Sequence, residues 1–437
     1  MKRQRKRLLV LPLAAVGALT VACSDGPTAN ATKSSVEATR TAAAAPAVNP
    51  VIAWNRAVLA IVRTPGVQLP TIHSTYEFAI LHASMYDAVN SITRRHQPYK
   101  IALKGVSDAS EDAAAISAGH EALVNLYEDF RPTLDSIQQA LLSTIPDGKP
   151  KREGIRVGRQ IADSILALRA NDGHDVTPPL FDVTGAPGTW QPMPPNFQLQ
   201  PQFTHWGQVK PFVVQSALQF PLGPPPALNS AQFIKDFNEI KRIGKLGGTA
   251  ATTEQQTIGK FWNGQIQDYW QEITQTAAIG HNLNTEETAR VFALVNLSLA
   301  DAVITYFKSK YQYGFWRPVT AVREAGVLNN PALQPDTGWL PLVTKTTPDP
   351  SYPGAHSADS WASAEVLINF FATNNFSFTV TSEALPGVTR SFTTFTDAAH
   401  EAANSRVYAG QHFRTDEDAG HEQGFRVADY IVDNFLR

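Results

Sequence analysis

Three stretches in the last third of the chain carry cations and histidines at spacings that suit the grip of a tetrahedral oxyanion. They are Lys310-Tyr-Gln-Tyr-Gly-Phe-Trp-Arg317-Pro318, then Pro350-Ser-Tyr-Pro353-Gly354-Ala355-His356, then Ser405-Arg406-Val-Tyr-Ala-Gly410-Gln-His412-Phe-Arg-Thr-Asp416. Lys310, Arg317 and Arg406 could neutralise an anion between them. Gly354 and Ala355 precede an apolar helix, and the free N–H groups of a helix start add a seat for negative charge. Asp416, four residues beyond His412, is placed to orient that ring, and His356 and His412 are left to act along one axis. Phosphoryl transfer by a histidine nucleophile facing a histidine acid needs this equipment. Taken singly, each piece has a plain structural role: Arg-Pro as a helix boundary, Lys310 as a solvated helix end, Pro-Gly as punctuation, His and Asp as a surface pair. Their joint order and spacing carry the argument.

The elements that must position these groups read as helices. Ile52, Ala53, Val58, Leu59, Ile61 and Val62 mark one apolar helix, and Phe78, Ile80, Leu81, Met85 and Val89 recur at helical spacing in a second. Asp108 with Glu111 reads as a capping pair before an Ala-rich helix to about Tyr127, and two more helices run to about Ala170. Residues 171–228 hold twelve prolines, which excludes helix and central strand. This stretch is expected to be a long ordered loop, packed through Trp190, Phe197, Phe203, Trp206 and Phe212. Helices resume after Asn229; the clearest is capped by Asn284 and Glu287 and runs to about Tyr311, another follows Pro353, and the last follows Thr415. Residues 376–381 and 389–395 alternate around Leu385-Pro-Gly and predict a small hairpin. The expected fold is all-α: two packed helical bundles, residues 51–228 and 229–437, with a minor β-hairpin and a long Pro-rich loop.

The three stretches resemble the signature of the vanadium haloperoxidase and type-2 phosphatidic acid phosphatase superfamily: Lys-x6-Arg-Pro, Pro-Ser-Gly-His, and Ser-Arg-x3-Gly-x-His-x3-Asp. Trp54-Asn55, Met85-Tyr86-Asp87-Ala88-Val89-Asn90, the run from Phe315 to Arg323 and Asp336-Thr-Gly-Trp339-Leu-Pro are similar to secreted bacterial haloperoxidase-like proteins. The resemblance covers about residues 50–437. It implies that Lys310, Arg317 and Arg406, with the Gly354-Ala355 turn, hold vanadate, that His412 bonds to vanadium, that Asp416 orients His412, and that His356 is the acid–base group. Halide and hydrogen peroxide would then be the substrates. Phosphate fits the same seat, so a secreted acid phosphatase cleaving small phosphoesters through a phosphohistidine on His412 is the alternative. A non-catalytic oxyanion-binding lipoprotein is the third reading.

Two positions depart from the signature. Gly354-Ala355 replaces Ser-Gly, which keeps two backbone donors and loses a hydroxyl. A hydrogen bond to a charged group contributes roughly 1.5–3 kcal/mol, so oxyanion affinity is expected to fall about tenfold to a hundredfold. Asp349 stands where related enzymes often carry a histidine or aromatic residue near the halide path, and a carboxylate there is expected to repel halide.

Outside these segments the signals are weaker. His73, His82, His120, His281, His400 and His421 lack metal-ligand spacing and read as core or surface groups. Asp87 reads as a structural hydrogen-bond acceptor, and Trp262, Trp270 and Trp316 as core rather than a cofactor box. Phe307 and Trp316 flank the cationic turn and are candidate pocket walls. Formal net charge is −2 over 437 residues, and five basic residues sit in the first seven positions, so the remaining body is acidic and has no electrostatic case for nucleic acid. That basic start and the apolar run to Ala22 predict an export signal, residues 1–22, too short for a comfortable membrane span. Cys23, the one cysteine, follows it as the lipidated residue of a bacterial lipoprotein would, although Thr20 stands where an aliphatic residue is usual. Residues 23–50 read as a disordered tether, and a lipid on Cys23 would be the only membrane contact. No apolar run of 18 or more residues is evident beyond Ala22, so the expected product is a periplasmic, cell-surface or secreted protein.

Overall fold

Helix α9, Thr285–Tyr313, organises the computed structural model, which describes residues 48–67 and 72–437. The export signal, Cys23 and nearly all of the tether lie outside the described residues. Asn284 accepts from the Glu287 N–H while the Glu287 side chain accepts from the Asn284 N–H, so the predicted cap forms in full. Its apolar residues face every side, the pattern of a helix surrounded by others. Against the expectation of no long apolar run beyond Ala22, α9 could cross a membrane by length and composition, but 94 % of its apolar window is buried inside the fold.

Around α9 the helices follow in chain order: α1 Pro50–Val62, α2 His73–Thr93, α3 Glu111–Leu126, α4 Arg131–Ser143, α5 Lys149–Arg169, α6 Ala231–Ile243, α7 Thr253–Phe261, α8 Ile266–Gly280, then α10 Pro318–Glu324, α11 Ala355–Phe371, α12 Phe395–Tyr408 and α13 Arg414–Asn434. Strands β1, Asn375–Thr381, and β2, Thr389–Thr394, form the predicted antiparallel hairpin. The fold is all-α. Helix α9 packs on α2 and α3 on one side and on α8, α11 and α13 on the other. Residues 47–437 form one compact unit, and the 228/229 division drawn on the sequence falls inside it.

Local chemistry corrects two expectations. Ser110, not Asp108, caps α3, its side chain accepting from the Ala113 N–H. In the Pro-rich segment Trp190, Phe203, Trp206 and Phe212 are buried as expected, but Phe197 is 57 % exposed. That segment is held by a carboxylate: Asp301, buried in α9, accepts from the N–H groups of Phe212, Val213 and Val214, each at 2.7 Å. Asp87 does the same on α2, accepting from Tyr99, Lys100 and Ile101. Three donors per carboxylate replace lost water and explain how these acids tolerate burial.

Helices α11 and α13 meet backbone to backbone. A β-carbon on Gly420 would fall 2.2 Å from the Gly354 oxygen, and one on Gly424 would fall 2.0 Å from the Ala358 oxygen. No larger residue permits that approach. It brings the start of α11 against the start of α13, so His356 and His412 share one end of the bundle.

Candidate active site

Each functional side chain leaves a helix end. Lys310 lies in the last turn of α9, which stops at Gly314 in the left-handed conformation. Arg317 is the N-cap of α10, and Pro318 takes the first helical position, where no N–H is needed. Gly354 is the N-cap of α11, and Arg406 lies in the last turn of α12. Gly410, at φ +78°, turns the chain sharply where only glycine fits beside Gly244, and His412 follows in the loop to α13.

These ends converge. Arg317 Nη1 lies 2.9 Å from His412 Nε2. Guanidinium is always a donor, so Nε2 accepts and His412 carries its proton on Nδ1. On the Nδ1 side stand Asp416 Oδ2 at 3.4 Å and Ser351 Oγ at 3.5 Å. Asp416 in turn accepts from the Ser351 hydroxyl and from the Phe413 N–H. Burial, then Arg317, Lys310 and Arg406, hold the His412 pKa well below its ordinary value. A neutral ring with its Nε2 lone pair toward the cations is thereby favoured.

Asp349 binds both neighbouring cations. Its Oδ2 lies 3.0 Å from Lys310 Nζ and its Oδ1 2.9 Å from Arg317 Nη2. Burial alone would raise its carboxyl, but Arg317 and Lys310 outweigh this and hold it below the usual range. Its charge is therefore matched by two cations, a different situation from the free carboxylate expected beside a halide path. Lys310 Nζ also donates to the Pro350 and Ser351 carbonyls, and Arg317 to those of Asp349 and Gln411 and to Thr347 Oγ1. Arg406 is less occupied: Nη1 donates to Asn263 Oδ1 at 3.3 Å, and Nε, buried, has no partner among the described residues.

Across the cavity His356 is half-buried, its Nε2 3.0 Å from the Trp262 carbonyl. A carbonyl only accepts, so Nε2 holds the proton and Nδ1 carries the lone pair. Desolvation and Arg406 keep its pKa well below the ordinary histidine value. Gly354 differs from expectation: its N–H donates to the Asp416 carbonyl at 2.7 Å, which commits one of the two predicted backbone donors. Ala355 opens α11 and its N–H has no intrahelical partner, so donation there passes to Ala355 and His356.

The cavity measures about 480 Å³, with Arg317, Asp349, His356, Arg406 and His412 in its lining. Phe307, Trp190 and Phe203 contribute apolar wall. Phe307 was expected there. Trp316, read both as core and as a candidate wall, lies buried in the core with Phe233 and Val319. Asp359, buried on the second turn of α11, also lines the cavity, and burial raises its pKa well above the ordinary carboxyl value. Sequence reading passed over Asp359, Ser351, Asn263 and Glu417. Only the position of Glu417 beside Asp416 on the first turn of α13 could have drawn attention to it.

Residues 290–437 match the family model for the VCPO second helical-bundle domain. The vanadium chloroperoxidase of Curvularia inaequalis is 24 % identical over 265 residues, 49 % of this chain and 42 % of that protein, so the match spans less than half of the relative. A crystal structure of a bacterial vanadium-dependent iodoperoxidase superposes with a TM-score of 0.76 at 26 % identity, covering 89 % of this chain and 95 % of that one. The apo form of a bacterial vanadium-dependent chloroperoxidase shares the fold, with a TM-score of 0.66 at 15 % identity over 84 % of this chain and 94 % of that one. The matched domain, the relative and the solved structures together support the vanadium haloperoxidase and type-2 phosphatidic acid phosphatase superfamily.

Proposed function

We propose that this protein is a vanadate-dependent haloperoxidase, oxidising halide with hydrogen peroxide. The observation that carries the reading is the Nε2 lone pair of a neutral His412 set among Lys310, Arg317 and Arg406. The residues fit a tetrahedral oxyanion. Arg406 Nε is a buried donor without a partner among the described residues, and Ala355 and His356 at the start of α11 line the same cavity with N–H groups to offer. Three cations against the Asp349 carboxylate leave positive charge for the anion to neutralise.

Bound vanadate would supply a Lewis acid that polarises peroxide toward attack by halide. Arg317, Arg406 and Lys310 would hold its oxygens, and His412 Nε2 would be its protein ligand. Asp416 and Ser351 fix the ring so that Nε2 stays unprotonated. His356 Nδ1 would take a proton from incoming peroxide and return it to the leaving oxygen. The relatives named for vanadium peroxidases support this reading over phosphatase chemistry. An exported location, with a lipid on Cys23, accords with the basic and apolar N-terminal run.

The test is to load purified protein with vanadate and assay iodide and bromide oxidation with peroxide, beside aryl phosphate hydrolysis by the vanadate-free protein. Peroxide-dependent halogenation suppressed by phosphate is the expected result. Hydrolysis inhibited by vanadate, without halide oxidation, would replace the proposal with the phosphatase.

A further inference from the structure

The cavity reaches one helical turn past the oxyanion seat. Lys310, near the end of α9, is bonded to the Pro350 and Ser351 carbonyls just ahead of α11, and the two helices pack together, so they run in opposite directions. One turn back from Lys310 on α9 is Tyr306, and one turn on from His356 along α11 is Asp359. Tyr306, Asp359 and Phe307 all line the cavity, as a second layer beside the seat. Asp359 is 2 % exposed, and its Oδ1 has no hydrogen-bond partner among the described residues. A carboxylate so deep with an oxygen unmatched is costly, so the group holds a proton. Burial keeps its pKa well above the ordinary value against the pull of Lys310, and the Tyr306 phenol is raised likewise.

This second layer is therefore uncharged, partly aromatic and equipped with a donor. Beside it three cations face the Asp349 carboxylate, which leaves more positive charge than one singly charged oxyanion neutralises. Such a place suits a small monatomic anion. A second oxyanion would bring several charged oxygens and find too few donors for them. We infer that Asp359 is a specificity-determining residue for halide: its carboxyl hydrogen donates to a halide ion held in the layer of Tyr306 and Phe307, one helical turn from the oxyanion. The cost of stripping water from an ion falls as its radius grows, so iodide should bind more tightly than bromide, and bromide more tightly than chloride. The inference rests on the haloperoxidase reading given above and places that reaction's halide.

The test uses vanadate-free protein saturated with phosphate, so that halide cannot simply take the oxyanion seat. Crystals soaked in iodide should show an anomalous peak beside the Asp359 carboxyl, and bromide binding in solution is read by broadening of its nuclear magnetic resonance line. Asp359→Leu removes the donor and should weaken bromide binding at least about tenfold, whereas Asp359→Asn keeps a donor and should stay within about threefold. In vanadate-loaded protein Asp359→Leu should raise KM for iodide by about tenfold and leave kcat within about threefold. Iodide that shows no peak at Asp359, or bromide bound as tightly by Asp359→Leu as by the unaltered protein, overturns the role of Asp359. The iodide map decides the matter even where the leucine variant does not fold. Failure of phosphate to bind overturns instead the oxyanion site on which the inference rests.

Discussion

Arg317 caps the Nε2 lone pair of His412 from 2.9 Å, so the nitrogen proposed to bind vanadium already faces a cation. The same guanidinium reaches Asp349, Thr347 and the Gln411 carbonyl, each through a fixed corner of the fork. Arg317→Lys keeps the charge and loses that geometry. Phosphate affinity, read by titration calorimetry, should fall about tenfold to a hundredfold, the worth of one charge-assisted bond.

Asp349 works in two directions. It offsets Lys310 and Arg317 in the protein without ligand, and it reduces the positive charge offered to the oxyanion. Asp349→Asn should destabilise the fold by about 3 kcal/mol, because two buried cations lose their partner. The same change should tighten phosphate binding. Thermal melts should therefore show a lower Tm without phosphate and a larger phosphate-induced rise than in the unaltered protein.

The acid limb of stability should depend on His82. This ring is fully buried, stacks on Phe292, has no partner for either nitrogen among the described residues, and is pushed down to a pKa of about 3 by burial. Below pH 6.5 the unfolded chain takes up a proton that the folded ring refuses, so stability falls as pH drops from 6.5 toward 3. At pH 4.5 the loss from this group should be about 2–3 kcal/mol. His82→Phe keeps the stacking and removes the titration. Urea midpoints at pH 7 and pH 4.5 should lie closer together in that variant.

The helices and the site were legible to different depths. Apolar periodicity and the Asn284 cap announced α9 because both are local, and the three signature stretches announced His412, Arg317, Lys310 and Arg406 because their spacing is local too. What the chain did not announce depends on residues distant in sequence meeting in space. The Asp349 bridge to Lys310 spans about forty residues, and Glu417 on α13 occupies the room that a side chain at Gly354 would need. Trp316 failed as a wall because flanking a site in sequence does not say which way a ring turns; here it turns into the core.

The glycine seam between α11 and α13 should be intolerant of growth. Gly420→Ala must push the Gly354 carbonyl away, since its β-carbon would fall at 2.2 Å. Overpacking of this kind costs about 1–3 kcal/mol. Because the seam also registers His356 against His412, phosphate affinity should fall together with Tm. A variant that melts lower but binds phosphate as before would separate seam from site.

Asp301 carries a burden out of proportion to its size. Three amides of a proline-rich stretch with no helix ladder of its own converge on one carboxylate, and residues of that stretch, Trp190 and Phe203 among them, wall the cavity. Asp301→Leu should leave helical circular dichroism largely intact while opening residues 171–228 to rapid nicking by a protease. The strap that walls the cavity is thus buckled to the central helix at Asp301 and stitched along its length by further bonds, Trp190 N–H to the Gly314 carbonyl and Gln202 N–H to the Pro348 carbonyl among them, so the wall can be remodelled between these fastenings while the cations beneath it stay as they are.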